Sequence, residues 1–415
     1  MRATSQTSIR LDPVELARRQ LQRDHANVRS YAGLFEHKLE RMRTSPLAFL
    51  RGSAPMFYDA LAAEPSLAEG PAGEGWILGD LHLENFGVFR PRTFDDDERA
   101  KGQRLDSTVA FHLNDFDDAV IGPWRIDVLR LLVSVLLHAR EMRLRGWDAT
   151  DRCRELIREY VRHATSNAHA HHVPRAVTEL IARVRTRSRT QLLDARTQVA
   201  RGKRHLIRGP RYHDLPKKFA AAARTAFTHF ARDAERDYEI NADHFEIVDT
   251  AYRVAGTGSL GRLRVVVLAR GKGGVDGNWM FDMKEQLSHP APTAVIPAPA
   301  LGGAERVVTA ARALLASPPR MLGTARLAHR SMVVRRLAPQ EDRLVLADLR
   351  PQDFAQLSGY LGSLVGSAHR RAATRPPKRA WTAEECDAMI DRAIVLAGVH
   401  EAAYVAYFKL ARARR

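Results

Sequence analysis

Two stretches decide how the chain is read: Gly79-Asp80-Leu81-His82-Leu83-Glu84-Asn85, and then Asn114-Asp115-Phe116-Asp117-Asp118. Each follows a short apolar run, Trp76-Ile77-Leu78 before the first and Val109 to Leu113 before the second. An Asp at a strand end, an Asn five residues later and a second acidic strand end together supply hard oxygen ligands. Phosphoryl transfer asks for these parts: one Asp to orient or deprotonate the acceptor, and an Asn with a second Asp to hold Mg²⁺. Asp80 is therefore the candidate catalytic residue. Asn85 and Asp115 are candidate metal ligands, with Asp117 as a second metal or water ligand. The plain alternative is an Asx turn and a helix cap beside a solvated acidic run.

Further along, Gly256-Thr257-Gly258-Ser259-Leu260-Gly261 fits the pattern G-x-G-x-x-G. In a dinucleotide fold a helix follows these glycines. Here Arg262 to Leu268 reads as a strand, so the segment is a strand–loop–strand hairpin suited to covering nucleotide phosphates. A third strand delivers Met283-Lys284-Glu285, which sets Lys284 in reach of phosphate oxygens. Glu305, early in the next helical segment, is the expected ion-pair partner of Lys284. Gly256, Gly258, Ser259, Gly261, Lys284 and Glu305 form the expected nucleotide-binding set; the alternative is a surface hairpin with a chance lysine.

The rest of the chain bounds this reading. Its 415 residues and 45% hydrophobic content suit two or three packed domains or lobes. Two cysteines, Cys153 and Cys386, exclude a disulfide framework or a four-cysteine zinc site and fit a reducing compartment. No apolar leader opens the chain, and the greasiest stretch, Ile126 to Ala139, carries Asp127 and Arg130 and is short for a bilayer. The expectation is a cytoplasmic protein with no membrane partner. A formal charge of +17 favours an acidic partner, but no recognised nucleic-acid motif accompanies it. Helical periodicity and turn residues divide the chain into four parts. These are N-terminal helices (1–75), a helical lobe with both acidic loops (76–244), a small β lobe (245–340) and closing helices (341–415). The His169, His171 and His172 tract reads as a polar inter-helix stretch, not as a zinc site.

Taken together, these residues resemble the protein-kinase-like superfamily, especially its aminoglycoside- and small-molecule-phosphotransferase branch. GDLHLEN is similar to the G-D-x-H-x-x-N catalytic loop, and NDFDDA to the I-D-F/W-x-x-A metal segment. With SPLAFLRGSAPMFY, FHLNDFDDAVIGPWRIDVLRL and GTGSLG…KEQ, they also resemble an uncharacterised bacterial family, domain of unknown function 2252, across most of the chain. The resemblance implies an α+β, protein-kinase-like two-lobed fold, with a mostly helical large lobe and a small antiparallel β lobe. It also implies circular permutation, because the catalytic loop precedes the Gly-rich loop. Compact domains tolerate this when their termini lie close together. Leu78 departs from the family pattern, standing where many relatives carry His.

Carried over, Asp80 matches the catalytic Asp, Asn85 and Asp115 the metal ligands, Lys284 the phosphate-binding Lys, and Gly256, Gly258 and Gly261 the phosphate loop. The implied cofactors are ATP and Mg²⁺. Arg51 is a candidate for phosphate or substrate contact, against a helix-end salt bridge. His82 is a candidate for substrate or metal positioning, against a hydrogen bond within the loop. The expected function is an ATP- and Mg²⁺-dependent phosphotransferase acting on an unknown, anionic acceptor. Its alternatives are a nucleotide-binding pseudokinase or a kinase-fold nucleotidyltransferase that moves AMP. Adenine is expected against the strand ending near Arg336-Leu337-Ala338. The basic segment with Arg204, Arg208 and Arg211 is expected to border the cleft and draw the acceptor.

Overall fold

A computed structural model describes residues 11–28, 34–91, 109–168, 172–254 and 262–413. Its helices are α1 (Pro13–Val28), α2 (Leu34–Arg43), α3 (Pro46–Gly52), α4 (Ala54–Ala63), α5 (Trp124–Glu141) and α6 (Gly146–Thr165). They continue with α7 (Arg175–Arg185), α8 (Arg189–Asp194), α9 (Lys217–Tyr238), α10 (Gly303–Leu314), α11 (Pro351–Arg371) and α12 (Ala383–Ala413). The strands are β1 (Glu74–Ile77), β2 (Phe86–Phe89), β3 (Ala110–Leu113), β4 (Val120–Pro123), β5 (Thr197–Ala200), β6 (Lys203–Leu206) and β7 (Tyr212–His213). After these come β8 (Ile247–Arg253), β9 (Arg264–Ala269), β10 (Trp279–Glu285), β11 (Leu322–Leu327), β12 (Arg330–Leu337) and β13 (Ala373–Arg375). The mixture of helix and sheet is α+β, as expected.

Strands β7 to β12 pair into a six-stranded antiparallel sheet in the order β11-β12-β10-β9-β8-β7. On β10, Trp279, Phe281 and Met283 face α9, with the Phe281 and Phe227 rings 5.0 Å apart. Met280, Asp282 and Lys284 therefore project from the opposite face. The far end of that second face, formed by Ala251, Val266, Leu268, Met280 and Leu337, is sealed by Leu193, Leu206 and Tyr212. The sheet's packing unit thus begins before the expected boundary at residue 245. The reason is that β7 pairs with β8 and the apolar face of α9 has nowhere else to bury.

The helices form a second, larger core. Ser45 caps α3, its Oγ accepting Ala48 N at 3.1 Å, and Pro46 follows in the first turn. Helix α5 is buried on every side, which is why its sequence is apolar without a stripe. Helices α6 and α11 approach so closely that a Cβ at Gly362 would lie 2.1 Å from Leu156 O, and one at Gly366 2.3 Å from Tyr160 O. By length and composition one described helix, α12, is apolar enough to cross a membrane, and the residues it buries here, including Met389, Leu396 and Tyr407, join this helical core. Two small strand pairings lie where the helical core meets the sheet. Strand β1 sits between β4 and β13, and β2 pairs with β3. Both acidic loops cross between these two groups, the first leading from β1 to β2 and the second from β3 back to β4.

Candidate active site

The first acidic loop joins β1 to β2 and hangs from helix α5. Asp127 of α5 is fully buried, and its two oxygens accept Leu78 N at 2.7 Å and Gly79 N at 2.9 Å. His369 Nε2 lies 3.3 Å from the same carboxylate, and its Nδ1 lies 3.1 Å from the Tyr160 hydroxyl. At Gly79 the chain turns with φ +76°, and a Cβ there would sit 2.2 Å from Asp118 O. Only glycine lets the two acidic loops touch in this way. The Tyr58 hydroxyl donates to Gly79 O from α4. Asn85 then closes the loop, its Nδ2 donating to Asp80 O at 2.6 Å.

Asp80 is held from below by Arg130, a wholly buried side chain on α5 whose Nε and Nη2 both reach Oδ1, the Nε bond being 2.8 Å. Arg130 also donates to Leu50 O at 2.9 Å. Burial pushes the Asp80 carboxyl up to about 7; Arg130 opposes the rise, while Asp118 and Asp115 add to it. A carboxylate poised there accepts a proton near neutral pH.

The second acidic loop joins β3 to β4. Asp115 opens onto the cavity, and the surrounding protein together with Asp117 raises its pKa. Asp117 lies below the usual carboxylate range: burial would raise it, but the Lys284 ammonium and the Arg262 guanidinium outweigh that. Lys284 pairs directly with Asp117, Gln286 Nε2 donates to it at 2.9 Å, and Arg262 stands 3.5 Å away. Asp118 instead accepts Ala291 N at 2.8 Å.

The cavity between sheet and helices has a volume of about 640 Å³, and Asp80, Asn85, Asp115, Asp117 and Lys284 all line it. Segments separated by some two hundred residues therefore meet at one place. Arg51 and His82 line it too, with local roles. Arg51 pairs with Glu84, which Arg343 also approaches at 3.5 Å, and His82 Nδ1 accepts Glu84 N at 3.2 Å. Burial and the Arg51 charge hold His82 well below its ordinary pKa, so the ring is neutral. Gly256, Gly258, Ser259 and Gly261 lie outside the described residues.

Two expectations are corrected. Glu305 is exposed in the first turn of α10, while the ion-pair partner of Lys284 is Asp117. The neighbouring residue makes the link instead. Arg306 is fully buried and donates to Asp117 O at 2.7 Å and to Ala119 O, because one step along a helix turns about 100° toward the loop. The Arg204 to Arg211 segment does not line the cavity. Arg204 is buried between Asp194 at 2.8 Å and Asp276 at 2.6 Å, and Arg208 pairs with Asp214 and Asp249. At the end of β12, Leu337 packs with Leu193, Leu206 and Tyr212, while Arg336 and Ala338 line a second cavity of about 150 Å³.

For a cation, the donor set favours a shared site. Among the described residues no three carboxylate, His or Cys side chains converge in a metal cage. Asp117 is taken by Lys284, whereas Asp115 and the Asn85 amide oxygen remain. Mg²⁺ fits such a pair, since it keeps several waters and completes its shell with phosphate oxygens.

Asp127, Arg130 and Arg306 escaped the sequence reading. Their trace was present: charged residues inside apolar helical runs are rarely left buried without a partner.

No curated protein and no solved structure matches the chain significantly. The model of the family described as "Uncharacterized protein conserved in bacteria (DUF2252)" matches residues 30–410. The chain belongs to that family.

Proposed function

We propose that the cavity is the active site of an ATP- and Mg²⁺-dependent phosphotransferase with a kinase-like, circularly permuted arrangement. The observation that carries this reading is the convergence of Asp80, Asn85, Asp115 and Lys284 on one cavity from two distant parts of the chain. The strand plan supports it as well. Counted from β8, Lys284 lies on the third strand, a helix follows, and the remaining two strands complete the sheet, as in kinase-like small lobes.

In this reading Lys284 holds the phosphate chain and leaves its ion pair with Asp117 to do so. Asn85 and Asp115 would hold Mg²⁺, which when bound neutralises phosphate oxygens. Asp80 orients the acceptor hydroxyl and takes its proton as the acceptor oxygen bonds to the γ-phosphorus and the bond to ADP breaks. Arg130 keeps that carboxylate aimed into the cavity. Positioning and charge neutralisation dominate such chemistry, so loss of any of these groups removes most of the rate.

The test is to incubate wild type, Asp80→Ala, Asp115→Ala and Lys284→Met with labelled ATP and cell extract. Transfer of γ-label by wild type alone supports the reading; equal transfer by all four folded proteins sinks it. Transfer of α-label instead would assign the site to AMP transfer, which uses the same residues.

A further inference from the structure

The part of the sheet that lines the cavity is mostly charged: Arg264, Asp282, Lys284 and Arg335, beside Leu322 and Val333. Strand pairing sets Arg264 directly opposite Lys284, and Asp282 opposite Arg335. Side chains alternate along strands, so these four share one face, and all four line the cavity. Like charges directly opposite one another weaken an antiparallel pair, so the Arg264–Lys284 juxtaposition has a cost for the fold.

Carboxylates fix the arginines in place. Arg264 grips Asp282 through Nε at 2.8 Å and Nη2 at 2.6 Å, and Arg253 Nη1 lies 2.9 Å from the same group. Arg335 Nη1 stands 3.1 Å from Glu341. On the sheet side of the cavity Arg262, Arg264, Lys284 and Arg335 stand against Asp115, Asp117 and Asp282, within a lining that balances overall at eight cations and eight carboxylates. Arg253 Nε is buried with no hydrogen-bond partner. Fixed cations clustered on one wall of a cavity draw anions to that wall. The apolar end of the same face is already sealed, and the apolar lining of the cavity, Leu322, Val333, Val307 and Ala311, is left for the rest of the ligand.

We propose that Arg264 and Arg335, held by Asp282 and Glu341, form with Lys284 a roof that binds the phosphate chain of the ligand. The phosphates then lie beneath β9, β10 and β12, and the base lies elsewhere in the cavity. The idea that this ligand is ATP rests on the phosphotransferase reading; the anion site itself needs only a linear polyphosphate.

The experiment uses inorganic tripolyphosphate, which has no base, titrated calorimetrically into the full-length protein at low and moderate salt. Wild type should bind it, more weakly as salt rises. Arg335→Gln should weaken binding about tenfold or more, as loss of a charge-assisted phosphate contact does. Arg264→Gln leaves Asp282 short of a partner, so Arg264→Gln/Asp282→Asn, which removes both charges together, is measured beside it. Arg208→Gln, outside the cavity, should leave the affinity unchanged. No binding by wild type, or equal affinity in the folded roof variants, overturns the proposal. Tripolyphosphate binding that needs Arg335 in a protein that transfers nothing from ATP would keep the roof and remove the phosphotransferase reading.

Discussion

Replacing Asp127 by Asn tests whether the catalytic loop hangs from α5. The carboxylate is fully buried and accepts the N–H groups of Leu78 and Gly79 at 2.7 and 2.9 Å, with His369 at 3.3 Å. Asn keeps one acceptor oxygen, so one of the two backbone donors meets an NH₂ group instead. A hydrogen bond to a charged group contributes about 1.5–3 kcal/mol, and a buried donor left unpaired costs a similar amount. Loss of about 3 kcal/mol follows, a large share of the roughly 5–15 kcal/mol that stabilises a typical protein. Guanidinium unfolding should show a lower midpoint with an unchanged slope. Any transfer activity should fall further than the unfolded fraction explains, because Asp80 lies one residue beyond the displaced amide. A loss below about 1 kcal/mol with a normal loop would refute the suspension of this loop from α5.

Four further outcomes follow from the same geometry. Gly79→Ala should cost about 2 kcal/mol or more by thermal unfolding, since it forces both a left-handed φ and a clash with Asp118 O. Arg130→Met should raise the Asp80 pKa above its present value of about 7, read by carboxyl NMR; a fall would mean that Arg130 does not stabilise the charged form. Glu305→Ala should change stability by less than about 0.5 kcal/mol, whereas Arg306→Met should cost about 2 kcal/mol or more. Burial lowers His400 from 6.5 to about 4, so the unfolded chain takes up this proton first as pH falls. Stability from this group is full above pH 6.5 and drains toward pH 4, by about 3 kcal/mol in all. His400→Gln should flatten that part of the stability–pH curve.

Much of this was legible in the sequence because strand ends and turns write locally. The Asp80 and Asp115 loops follow short apolar runs, and the alternation on β10 announces on which face Lys284 lies. What stayed hidden is tertiary. Nothing in the spacing tells that Asp127 and Arg130, one turn apart on a greasy helix, face the loop, or that Arg306 and not Glu305 points toward Asp117. A helix with no polar stripe gives no phase from which to read orientation. The basic run at Arg204 misled for a related reason: its acidic partners Asp249 and Asp276 are remote in sequence, so the charge surplus seen along the chain is balanced in the fold.

The most direct check on the central claim is a crystal structure with a non-hydrolysable ATP analogue and Mn²⁺, whose anomalous scattering locates the metal. One Mn²⁺ peak is expected between Asn85 and Asp115, with phosphate oxygens in hydrogen-bond reach of Lys284 and Arg264. A cavity empty at saturating analogue, or metal and phosphates bound away from these residues, would contradict it.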